Sequence, residues 1–82
     1  MENFVTSDYY LAAYLVAASN GVIRPIGLIG NRPRARFVLR DPAPSLREDL
    51  AERYLLETND EVPVSKVYAA MRQLRALLRD AG

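Results

Sequence analysis

The chain has 82 residues, half of them hydrophobic and 26% charged, and a net charge of +1. That length makes one small domain with a modest core, and the composition is globular rather than disordered. Histidine and cysteine are absent, which excludes disulfides, Cys/His zinc sites and any nucleophile–histidine pair within one chain, so no metal, no cofactor and no enzyme activity is expected.

The near-neutral total hides segregated blocks, and segregation is what creates a local field. Residues 9–40 hold five arginines and no acid. Residues 41–61 hold seven acids against Arg47 and Arg53. Residues 62–82 set Lys66, Arg72, Arg75 and Arg79 against Asp80.

The N-terminal stretch has Glu2 and Asp8 but no basic residue ahead of its apolar run, unlike a secretory signal. The run itself, residues 9–18, is about half the ~20 residues needed to cross a bilayer. A cytoplasmic protein with no membrane partner is expected. The run reads as a helix with Thr6 or Ser7 as N-cap, Asp8 in the first turn and Asn20-Gly21 as a left-handed stop. Tyr10, Leu11, Tyr14, Leu15 and Ala18 make one face, with Tyr10 and Tyr14 expected in the core. Tyr9, Ala12, Ala13 and Val16 make a second apolar strip. Such a strip is either a docking face for a protein partner or a second copy, or is covered by the third helix or the N-terminal tail.

Two strands follow, "GVIRPIGLI" and "RARFVLR", separated by the turn residues "GNRP". With Asn31-Arg32 at the tip, Leu28 faces Ala35, Ile26 faces Phe37 and Arg24 faces Leu39. Pleating then gathers Ile26, Leu28, Ala35, Phe37 and Leu39 on one side. Arg34, Arg36, Val38 and Arg40 fall on the other, with Gly27 opposite Arg36. Pro25 marks the first strand as an edge, or as one that starts after it. "GLIGNRP" is no phosphate loop, since it lacks Gly-Lys-Ser/Thr and precedes a strand.

After "DPAPS", Pro44 suits a first helical turn, and Ser45 to Glu48 match a capping box. The helix runs to about Leu56, with Leu46, Leu50 and Tyr54 as its apolar stripe and Glu48, Asp49 and Glu52 outside. The acidic block reads as a solvated face. Asp60 and Glu61 lack the glycine and ligand spacing of a calcium loop. "VPV" offers a short third strand, and Ser65 caps a last helix from Lys66 to about Arg79. Val67, Met71, Leu74 and Leu78 line its buried face, widened by Ala70 and Leu77. The expected architecture is a two-layer α+β domain spanning residues 1–82, an antiparallel hairpin on about three helices in the order α-β-β-α-(β)-α.

Three segments carry a resemblance. Phe4, Thr6, Ser7, Asp8, Tyr10, Leu11, Ala12 and Ala13 match an opening F-x-T-S-D-x-Y-L-A-A. Asp41-Pro42 match a D-P step after a central hairpin. Ala70, Arg72, Leu74, Arg75, Leu77 and Leu78 match a closing A-x-R-x-L-R-x-L-L helix. The chain thereby resembles a family of short bacterial, phage and mobile-element proteins, a domain of unknown function. The resemblance implies a fold and a mobile-element setting, and no activity.

Two constellations point to nucleic acid. Arg32, Arg34, Arg36 and Arg40 would project from one face of the ribbon, where guanidinium forks grip phosphates. Tyr68, Arg72, Arg75 and Arg79 share a stripe of the last helix, where an aromatic among cations suits a base beside its phosphates. Each pattern also suits a plain solvated surface. The expected function is a small non-enzymatic nucleic-acid-binding accessory, with DNA and RNA both open. The alternative is a protein-interaction module, such as a small subunit, adaptor or phage-type inhibitor, docking through Tyr9, Ala12, Ala13 and Val16.

Overall fold

The computed structural model describes residues 2–30, 34–56 and 62–81. Its elements are β1 (Glu2–Thr6), α1 (Tyr9–Ala18), β2 (Arg24–Ile29), β3 (Arg36–Asp41), α2 (Pro44–Leu55) and α3 (Val64–Ala81). The α+β class is as expected from the sequence. The order is not, because the chain opens on a strand. A third strand exists, but at the N-terminus rather than at "VPV", where Val64 already starts α3. β1 lies antiparallel to β3, and the sheet order β1-β3-β2 puts β3 in the centre.

The β2–β3 register also differs from the expected one. Arg24 pairs Arg40, Pro25 pairs Leu39, Gly27 pairs Val38, Leu28 pairs Phe37 and Ile29 pairs Arg36, with an irregularity between Pro25 and Gly27. Proline has no N–H for the ladder, and an extra residue at that point bends the strand. Ile26 is that extra residue. It is therefore 52% exposed instead of buried. Separately, the pairing begins at Ile29–Arg36, two residues further along β3 than expected, so Gly27 sits opposite Val38 rather than Arg36. Phe37 and Leu39 do point inward as expected, and both are buried.

The helices cover the inner face of the sheet. Ala12, Ala13, Leu15, Val16, Ala17, Ile23, Phe37, Leu39, Leu50, Ala70 and Leu74 form the buried core. α1 is buried on most of its circumference, which is what a helix apolar all round requires. Asp8, not Thr6 or Ser7, is its N-cap: the carboxylate Oδ1 accepts from Leu11 N–H at 3.0 Å, and Thr6 Oγ1 accepts from Asp8 N–H. The helix closes with Ser19 as its C-cap, and Asn20 and Gly21 follow at positive φ (55° and 87°), as the Asn-Gly pair predicts.

α2 begins at Pro44 with Ala43 as its N-cap and no side-chain cap bond, so the Ser45–Glu48 box does not form. Proline's fixed φ suits the first helical position and places Ser45 inside the helix. Ser65 is likewise inside α3, where Lys66 N–H and Val67 N–H donate to the Pro63 carbonyl. Arg47 of α2 fastens the helix to the sheet: its Nε donates to buried Asp41 Oδ2 at 2.5 Å, and its guanidinium lies 4.5 Å from the centroid of the Phe4 ring. No helix among the described residues is long and apolar enough to cross a membrane.

Candidate nucleic-acid interface

Cross-strand partners share a face of a sheet, so the register assigns the outer one. It carries Asn3 and Val5 from β1, Arg36, Val38 and Arg40 from β3, and Arg24, Gly27 and Ile29 from β2. Among the described residues it holds no acid. Val5, Ile29 and the bulged Ile26 are exposed alongside the arginines, so the face is cationic and partly apolar. Arg36 and Arg40 are four residues apart on one strand, roughly 13 Å along it.

Arg24 and Arg40 stand directly opposite one another on neighbouring strands. Like charges in that position destabilise a sheet. Outside α3 the described arginines divide into two sets. Arg47 is ion-paired with Asp41 and Arg53 with Asp49. Arg24, Arg34, Arg36 and Arg40 have no ion-pair partner among the described residues. Arg24 Nε donates to the Gly21 carbonyl at 2.9 Å, which holds its stem and leaves its charge uncompensated.

Of the residues singled out in the sequence, Arg36 and Arg40 share the outer face. Arg34 is exposed just ahead of β3. Arg32 and the hairpin tip lie outside the described residues, as do Asp60 and Glu61. Arg24 was not singled out, because the unbulged register turns it inward. The signal available was Pro25 followed two residues later by Gly27, a pair that permits a bulge.

Tyr68, Arg72, Arg75 and Arg79 all lie exposed on α3, with Tyr68 57% accessible. α3 belongs to the helical layer, so this stripe and the outer face of the sheet are two surfaces and not one panel.

The apolar strip of α1 is a correction. Ala12, Ala13 and Val16 are buried within the chain. Tyr9 is half-buried, tilted against Phe37 at 5.9 Å, and its hydroxyl donates to the Met71 carbonyl at 3.2 Å. α3 and the sheet cover the strip, so no docking face remains there. The expected core role of Tyr10 also fails, since Tyr10 is 63% exposed and Tyr9 takes the inward place. Tyr14 is buried as expected, its ring tilted against Tyr54 at 5.6 Å between centroids.

No family model, curated protein or solved structure matches the chain.

Proposed function

We propose that this chain is a small nucleic-acid-binding protein, acting by binding rather than by catalysis, that holds phosphates on the outer face of its sheet. The like-charged pair of Arg24 and Arg40, on a face without acids among the described residues, carries the reading. A fold that needed only solubility would place opposite charges across the strands. A phosphate between the two guanidiniums turns their repulsion into a shared charge-assisted contact. Arg36 extends the contact along β3, and Val5, Ile26 and Ile29 supply apolar area against sugar or base edges. The mobile-element setting implied by the opening motif belongs to this proposal and is compatible with it. The alternative of docking a protein through α1 has lost its surface, because Ala12, Ala13 and Val16 are buried.

The test is binding of a labelled oligonucleotide at two salt concentrations. Three phosphate contacts weaken affinity roughly forty-fold between 50 and 200 mM salt. Changing Arg36 and Arg40 together to serine should remove most of the affinity and flatten the salt dependence. Binding that ignores both the salt and the double substitution would refute the reading.

A further inference from the structure

A cleft of about 430 Å³ opens where the end of α1, the start of β2 and the first half of α3 meet. Val16, Ala17, Ile23 and Ala70 line it with apolar surface, and Arg24, Lys66 and Gln73 stand among its polar lining groups. Among the described residues no acid lines it. The two cations are held in place from below: Lys66 Nζ donates to Asn20 Oδ1 at 2.7 Å, and Arg24 Nε to the Gly21 carbonyl. A second hollow of about 400 Å³ shares Asn20, Gly21 and Arg24 with the first and adds Arg40. Arg24 thus belongs both to the cleft and to the outer face of the sheet.

An apolar floor with cationic groups around it selects a ligand with a flat, weakly polar body and an anionic group at one end. Gln73 offers one donor and one acceptor group to the edge of such a body. The chain of cations from Lys66 through Arg24 to Arg40 provides for anions in sequence. We propose that the cleft takes one unstacked nucleotide of a single strand, its base on the apolar floor and its phosphate between Arg24 and Lys66, while the neighbouring phosphate lies between Arg24 and Arg40. This rests on the nucleic-acid reading above and narrows it to strands whose bases are free to turn out. A paired base is not free to enter, so single strands are preferred to duplexes.

The experiment compares a labelled single-stranded oligonucleotide with its duplex, using the full chain and two variants. Ala69→Leu fills the cleft, which Ala69 lines, without changing charge. Lys66→Met removes an exposed cation and leaves the core untouched. The wild type should bind the single strand about tenfold more tightly than the duplex, the worth of one seated base. Ala69→Leu should remove that preference and leave duplex affinity unchanged. Lys66→Met should weaken single-strand binding and lower its salt slope by about 0.7. Thermal melting checks that both variants fold; should Ala69→Leu not fold, Lys66→Met decides alone. Equal affinity for both forms, or variants that leave the preference intact, overturns the cleft while the phosphate-binding face stands. No binding of either form by the wild type overturns both.

Discussion

Arg40 separates a residue kept for stability from one kept for binding. It faces Arg24 across the ladder and makes no side-chain hydrogen bond or ion pair among the described residues. Threonine suits a central strand well. Arg40→Thr should therefore raise stability by about 0.2–1 kcal/mol, the size of a cross-strand charge term, while weakening oligonucleotide binding several-fold. Chemical denaturation and anisotropy on the same variant read the two effects, and a residue with a structural role would move stability the other way. Tyr54 gives a second residue-scale prediction. Burial pushes its phenol above the ordinary tyrosine value, and the negative charges of Asp8 and of ionised Tyr10 push in the same direction. A raised folded-state value means the neutral form is preferred in the fold. The stability it represents is fully present below the unfolded value, about 10, and is lost as pH rises through the folded one. Tyr54→Phe should lose less stability than the wild type between pH 9 and 11, measured by thermal melting.

At the scale of elements, the stripe on α3 and the outer face of the sheet differ in what they can do together. At 100° per residue Arg75 lies about 120–160° around α3 from Ala69 and Gln73, which line the cleft, whereas Arg72 lies only about 60–100° from them. A strand short enough to cover only the cleft and the outer face would not reach Arg75. Changing Arg75 to serine should alter the affinity for a six-nucleotide strand by less than about twofold, a factor expected of distant charges screened by salt. A tenfold loss would show that the stripe is part of the same site. The helices were legible in the sequence because their apolar residues recur at helical spacing: Leu46, Leu50 and Tyr54 in α2, Ala70 and Leu74 in α3. Arg36 and Arg40 were legible because alternation around Phe37 and Leu39 fixes their side. Arg24 was not, since one inserted residue reverses the side of everything beyond it.

For the whole molecule, β1 was the element the sequence did not disclose. Five residues without a neighbouring turn give little local pattern, and the partner of β1 lies in the middle of the chain. Its presence changes the role of β3 from one strand of a hairpin to the centre of a sheet. The strip on α1 was ambiguous for the related reason that burial of a helix on all sides depends on what packs over it. Only the assembled fold shows Tyr9 reaching Met71.

The central place of β3 also orders events in time. Thr6 must wait for Phe37, and Glu2 for Asp41, before either can close its rung. On a ribosome β1 therefore emerges before β3 and stays idle until the middle of the chain has followed. Closing so long a loop is slow compared with forming α3, whose backbone hydrogen bonds are local. β1 is thus made before its partner and locked in late, and until it docks one side of the arginine-bearing strand is left without its rungs.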